Sequence, residues 1–158
     1  MIVYTVGDLQ KKLDKERAKG KTIGFTPTMG ALHDGHGELV RMSLERNDIS
    51  VVSIFVNPTQ FNEKSDLDSY PRTLKADERL LKKLGKVIIF APSPSEVYPK
   101  GLKTKVKVDL GGLDEQMEGA FRPGHFEGVV QVVKRLLDIV NPTPVSYTHL
   151  TLPTTPYV

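Results

Sequence analysis

The sequence predicts an open α/β fold built on a parallel sheet, and three observations predict it. Short apolar runs at 22–26, 49–56 and 87–90 alternate with longer stretches of helical periodicity, the pattern of successive βαβ units. The run at 49–56, ISVVSIFV, is almost continuously apolar and β-branched, as expected of a central strand covered on both faces. Each run also stops in turn-forming residues: Pro27-Thr28-Met29-Gly30, Asn57-Pro58-Thr59 and Ala91-Pro92-Ser93-Pro94. Ligands of open α/β sheets bind beyond those strand ends, so these are the segments to search for chemistry.

Taken in order, residues 6–19 read as a helix rich in Lys, Leu and Arg, with Gly20 placed to end it. A strand over 22–26 breaks at residues 27–30, and helical spacing resumes from about Gly35 through Glu45. After the central strand comes a helix over 74–84, with Leu74, Leu80, Leu81 and Leu84 on or near one face, and then the strand 87–90. Residues 104–109 alternate and predict an outlying strand ending at Gly111-Gly112. The last helix, 126–140, carries a wide apolar face of Val129, Val130, Val133, Leu136, Leu137 and Val140. Asp66 and Asp68 read as residues that cap or solvate 67–72.

Composition narrows the function classes. The 158 residues suit one ordinary domain, and 39% hydrophobic with 26% charged residues suits a globular chain. A net charge of +3, spread over lysines that alternate with acidic or apolar residues, argues against a nucleic-acid surface. The absence of cysteine removes disulfides, thiolate nucleophiles and sulfur-held metals. No apolar run reaches membrane-spanning length and there is no signal-peptide pattern, so the expected setting is the cytoplasm, with small molecules rather than membranes as partners.

The first strand end holds the densest chemistry: Pro27-Thr28-Met29-Gly30-Ala31-Leu32-His33-Asp34-Gly35-His36. Gly30 and Gly35 allow backbone to approach a ligand closely. The start of the following helix offers unpaired N–H groups and partial positive charge to a phosphate. His33 and His36, spaced to face one side, can donate to its oxygens, and their protonation can respond to a bound triphosphate. A zinc site is the weaker reading, since only His125 and His149 remain as further imidazoles, so no metal ligand is assigned. Gln60 supplies an amide donor and acceptor at the next strand end. Asn57, Arg122 and His125 are further candidates for the pocket, with Pro27 and Thr28.

His33-Asp34-Gly35-His36 resembles the His-x-Gly-His signature of nucleotidylyltransferases, whose members act at the α-phosphate of a nucleoside triphosphate. The wider context resembles the pantothenate synthetase family: the segment 27–36, Val52-Ser53-Ile54-Phe55-Val56-Asn57-Pro58-Thr59-Gln60-Phe61, Tyr70-Pro71-Arg72-Thr73-Leu74, Phe90-Ala91-Pro92-Ser93 and Glu118-Gly119-Ala120-Phe121-Arg122-Pro123-Gly124-His125-Phe126 occur in family order. The resemblance implies a Rossmann-like parallel sheet of the HIGH-motif superfamily and an ATP-dependent ligase that joins pantoate to β-alanine through pantoyl adenylate. It implies that Met29, Gly30, Ala31, Leu32, His33, Asp34, Gly35 and His36 hold ATP, with His36 the catalytic proton donor or charge stabiliser. It further implies that Gln60 contacts pantoate and β-alanine, that Mg²⁺ accompanies the phosphates and that the family forms homodimers. One departure is Gly37, where a larger residue is usual; a helical glycine costs about 1 kcal/mol relative to alanine. Another adenylyl- or cytidylyltransferase, or a non-enzymatic nucleotide-binding fragment, are the alternative readings.

From Val145 the resemblance stops. The expected domain plan is therefore a nucleotide-binding domain over 1–144, incomplete, with 145–158 a non-native tail and the family's C-terminal domain missing. The Gly-Glu-Lys-Asp and Ser-Ser-Arg segments of the family do not occur. The residues 145–154, VSYTHLTLPT, are the translation of a widely used transposase sequencing adapter, and the source nucleotide read tests that origin. A chain so cut is expected to show very weak or no ligase turnover and to leave the last helix less covered and one strand edge open.

Overall fold

The computed structural model describes residues 1–61, 63–102, 109, 111–112 and 118–143. Four strands, β1 (Ile2–Val3), β2 (Ile23–Thr28), β3 (Ile49–Ile54) and β4 (Val87–Phe90), form one parallel sheet in the order β1-β4-β3-β2. The helices are α1 (Val6–Arg17), α2 (Asp34–Arg46), α3 (Lys64–Ser69), α4 (Leu74–Leu84), α5 (Pro94–Val97), α6 (Glu118–Phe121) and α7 (His125–Val140), with a 3₁₀ turn at Pro58–Gln60. The open α/β architecture is the predicted one. The outlying strand expected at 104–109 and the tail at 145–158 fall outside the described residues, Asp109 excepted.

Alternation along each strand sends side chains to two different cores. On one face, Phe25, Val51 and Phe90 pack with Leu9 and Leu13 of α1 and Val132, Leu136 and Ile139 of α7. On the other, Val52 and Ile89 pack with Val40 of α2 and Leu81 of α4. Central β3 is buried on both sides, which is why its sequence reads as an almost continuous apolar run, interrupted only by Ser50 and Ser53.

Element ends follow local chemistry. Thr5 caps α1, its hydroxyl accepting from the Asp8 N–H at 3.1 Å. That helix stops at Arg17, two residues short of the predicted end, because Gly20 at φ 74° turns the chain and its N–H returns to the Arg17 carbonyl at 2.8 Å. β2 runs through Pro27 to Thr28 rather than breaking at 27. It pairs only with β3 among the described strands, and a proline is tolerated on such an edge, where its missing N–H interrupts no ladder. The carboxyl end of α7 is tied down by Arg17, whose Nη2 donates to the Val140 and Asn141 carbonyls at 2.6 and 3.0 Å. The chain then returns to the open side of β2: the Thr143 N–H donates to the Ile23 carbonyl at 3.0 Å, and the Ile23 N–H to the Thr143 hydroxyl at 3.0 Å. β2 is thus an edge whose first residue is already covered. Leu137 of α7 is 42% exposed, whereas Leu136 and Val140 are buried.

Gly24 shows how tightly α2 is seated. A Cβ there would collide with the Ser43 hydroxyl and lie 2.6 Å from Asn47 Nδ2. Gly37 is the opposite case. It is buried, yet a Cβ would meet Leu84 Cδ1 at 3.7 Å and Leu80 Cδ2 at 3.9 Å, ordinary contact distances. Gly37→Ala therefore fills space and lowers the entropy of the unfolded chain, and should raise stability by about 1 kcal/mol. A higher urea midpoint with an unchanged slope checks this; a lower midpoint contradicts it.

Candidate nucleotide site

The site is assembled where β2, β3 and β4 end. The Thr28 hydroxyl donates to the Ser53 carbonyl at 2.6 Å and accepts from the Gly30 N–H at 3.3 Å, knotting the end of β2 to β3. The chain then takes two successive left-handed residues, Gly30 at φ 89° and Ala31 at φ 51°. Gly30 is required there twice over. Its φ disfavours a side chain, and a Cβ would lie 3.1 Å from Ile54 Cγ2 and 3.2 Å from Asp77 Oδ2.

Asp77 is the residue sequence reasoning missed. Its carboxylate is 2% exposed and accepts from the Leu32 N–H at 2.9 Å, the Ala31 N–H at 3.2 Å and the Thr73 hydroxyl at 3.2 and 3.3 Å. The signal was available: Asp77 sits between Leu74 and Leu81, at three- and four-residue spacing on the stripe that turns inward. A carboxylate in such a stripe needs partners, and the 31–32 backbone supplies them.

His33 is the N-cap of α2. Its Nδ1 accepts from the Gly35 N–H at 3.1 Å, and His36 Nδ1 accepts from the His33 N–H at 3.4 Å. With Nδ1 an acceptor in both rings, the proton of each neutral imidazole belongs on Nε2. The rings are neighbours, with centroids 4.1 Å apart and planes tilted by 52°. Two N–H donors thus stand beside the positive end of a helix. Gly35 has a second task besides thinning the backbone: a Cβ there would sit 3.0–3.1 Å from the His33 ring. Burial, reinforced by the adjacent His33, holds the His36 pKa below its ordinary value, and Asp77 partly offsets this. His36 is therefore a neutral donor near neutral pH, and anionic phosphate would draw a proton onto it. Asp34 occupies the first turn of α2, where its charge suits the helix dipole.

Gln60, 6% exposed in the 3₁₀ turn, reaches across to this loop: its Nε2 lies 2.8 Å from Met29 Sδ. Its Oε1 accepts from Asn57 Nδ2 at 3.3 Å. Asn57 is fully buried. Its Nδ2 also donates to the Gly128 carbonyl at 3.1 Å, and its Oδ1 accepts from the Tyr98 hydroxyl at 2.9 Å, Thr59 Oγ1 at 3.0 Å and the Thr59 N–H at 3.3 Å. Burial pushes the Tyr98 phenol up, in keeping with its role as donor. His125 opens α7 and places Nδ1 2.9 Å from the Gln60 carbonyl.

The structure thus gathers Thr28, Met29, Gly30, Asn57, Gln60 and His125 into one connected region, with His33 and His36 at its α2 side. Arg122 pairs with Asp66 at 3.5 Å, and Asp66 stands in the first turn of α3. Pro27 is exposed. A cavity of about 340 Å³ opens beside the loop, lined by Met29, Gly30, Phe55, Thr73, Asp77 and Pro92 among others. Among the described residues no three His, Cys, Asp or Glu side chains gather as a metal site, and no helix is long and apolar enough to cross a membrane.

This geometry has close counterparts. A sequence profile described as pantoate-beta-alanine ligase matches residues 1–148. The pantothenate synthetase of Phocaeicola vulgatus is 55% identical over 142 residues, 90% of this chain and 50% of that protein. That of Aquifex aeolicus is 51% identical over the same shares. Among solved structures, the pantoate-beta-alanine ligase of Francisella tularensis, complexed with β,γ-ATP and β-alanine, superposes with a TM-score of 0.80 at 39% identity. The match covers 90% of this chain and 54% of that one. The pantothenate synthetase of Thermus thermophilus gives 0.79 at 46%, over 89% and 49%. The chain spans about half the length of the curated relatives it matches. With a profile covering nearly all of its residues and relatives above half identity, the chain belongs to the pantoate-beta-alanine ligase family.

Proposed function

We propose that residues 1–144 are the nucleotide-holding half of an ATP-dependent ligase that condenses pantoate with β-alanine. In the first step a pantoate carboxylate oxygen attacks the α-phosphorus of ATP, and the bond to the pyrophosphate oxygen breaks. In the second, the β-alanine amine attacks the activated acyl carbon; the bond to AMP breaks and the amine loses a proton, giving pantothenate.

The observation that carries this reading is the pair of imidazoles at the start of α2, each using Nδ1 to build the turn and leaving Nε2–H to donate. His36 is the catalytic candidate, stabilising charge at the phosphate, and the backbone of 29–36 is the ATP cradle. Gln60, held on Met29 in the free protein, is the group for pantoate and β-alanine; its amide can turn from sulfur to a hydroxyl or an amine. Mg²⁺ enters as part of the substrate, Mg·ATP. The one buried carboxylate on the cavity wall, Asp77, already accepts from two N–H groups and a hydroxyl, which leaves it poorly suited as a metal ligand. Little covalent work falls to the protein, so positioning and charge stabilisation dominate. A cytoplasmic setting and a homodimer belong to the same reading, inherited from the resemblance.

Calorimetric titration of the folded 158-residue chain with Mg·ATP tests the proposal. Saturable binding is expected, with His36→Ala at least tenfold weaker, the loss of a charge-assisted donor. No heat of binding from a folded sample, or equal affinity in the variant, defeats it. Turnover is not expected from the chain alone.

A further inference from the structure

We infer that Asp77 is a positioning residue of the nucleotide site: its buried carboxylate fixes the left-handed 30–31 turn and so presents the loop that carries His33 and His36. The inference rests on the nucleotide reading above for its functional consequence, though not for its geometry.

Four observations converge on it. The carboxylate is buried to 2% exposure in a helix whose neighbouring inward residues, Leu74 and Leu81, are apolar. A carboxylate in such a place is costly unless it accepts several hydrogen bonds, and this one accepts from Ala31 N–H, Leu32 N–H and Thr73 Oγ1. Two of those donors belong to the loop itself. They cannot be satisfied by secondary structure, because Ala31 and Leu32 lie between the end of β2 and the start of α2.

The turn also has a tendency to escape. Ala31, a residue with a Cβ, is held at φ 51°, a conformation that costs free energy and persists only when its surroundings enforce it. The carboxylate bonded to Ala31 and to the next N–H is the enforcing group. Gly30 completes the fit, since a Cβ there would press against Asp77 Oδ2 at 3.2 Å. Helix α4, which otherwise only covers the sheet, thereby fixes the approach of the imidazoles.

Charge gives Asp77 a second effect. The titratable groups acting on His36 are His33, the N-cap of its own helix, and Asp77, from α4. Asp77 favours the imidazolium that a bound phosphate would also favour, while His33 opposes it. An isosteric neutral replacement therefore changes both the shape of the loop and the proton affinity of His36. A purely structural role would change only the first.

The test compares the 158-residue chain with Asp77→Asn. Three readouts are taken: amide hydrogen exchange at Ala31 and Leu32 in the unaltered chain, the His36 titration by NMR, and Mg·ATP affinity by calorimetry. Both amides should exchange far more slowly than those of an open loop, and Asp77→Asn should lower the His36 midpoint and weaken Mg·ATP binding at least tenfold. Unprotected Ala31 and Leu32 amides overturn the inference even if the variant does not fold. So does a folded Asp77→Asn whose His36 midpoint and nucleotide affinity both match the unaltered chain. If the unaltered chain binds no Mg·ATP, the nucleotide reading fails by itself. Asp77 is then judged on exchange and titration alone, which stand or fall without ATP.

Discussion

Gly128→Ala is expected to be among the most damaging small substitutions in this chain, lowering stability by about 3 kcal/mol. Gly128 lies inside α7 against the 3₁₀ turn. A Cβ there would stand 2.6 Å from the Thr59 carbonyl oxygen and 2.9 Å from Thr59 C and Gln60 Cα. Overfilling a packed site typically costs about 1–3 kcal/mol, and the upper end applies where the obstacles are backbone atoms that no rotamer change can move. The helix must retreat from the turn, and the Asn57 Nδ2 bond to the Gly128 carbonyl goes with it. Gln60 would be displaced in the same movement. Urea unfolding read by circular dichroism measures the effect; a midpoint within error of the unaltered chain would show that α7 is not seated as described.

Asn57→Ala is the second large effect, and it acts by the opposite route. The change removes three acceptor contacts and two donor contacts from a side chain with no exposure. It leaves the buried Tyr98 hydroxyl and the Gly128 carbonyl without the partner they have now. Each buried group left unsatisfied costs roughly 1–3 kcal/mol, so a loss of about 4 kcal/mol is expected once the small cavity is added. Asn57→Asp separates the two halves of the network. It keeps the acceptor for Tyr98 and Thr59 but loses both donations, and sets a negative charge against the Gly128 and Gln60 oxygens. It should rescue little at neutral pH and more as acid protonates the new carboxyl. A pH-independent difference between Asp and Ala variants in thermal melts would contradict this account.

Much of the fold was legible because burial leaves a periodic trace. β3 is covered on both faces and therefore spelled in β-branched residues, and α4 carries its leucines on the face it buries. What escaped reading lacks such a trace. β1 is two residues long, and α5 is a single turn begun by a proline that also suits a loop. Pro27 looked like a break because a proline ends an interior strand, and only the topology shows that β2 lies at an edge of the described sheet.

The site divides in the same way. The spacing of His33 and His36 showed that the rings could share a side, and the structure sets them 4.1 Å apart. It could not show that their Nδ1 atoms build the helix cap, because that depends on χ angles rather than on spacing. Asn57 stood out as a polar residue at a strand end, but its partners Tyr98 and Gly128 are far along the chain. Asp77 and Gly128 depend on close approach between distant elements, which one sequence without its fold does not reveal.

The contact between Thr143 and Ile23 has a consequence for how the chain acquires its shape. The two residues are 120 positions apart. β2 can meet β3 after only the helix between them has been made, whereas its other side must wait until α7 has been synthesised and laid down. Distant pairings bear the larger loop-closure entropy and form late. During translation the loop that follows β2 is therefore carried on a half-finished edge for most of the chain's emergence. That interval is when unpaired strand edges recruit wrong partners. Slowing the ribosome before codon 143 should lengthen it.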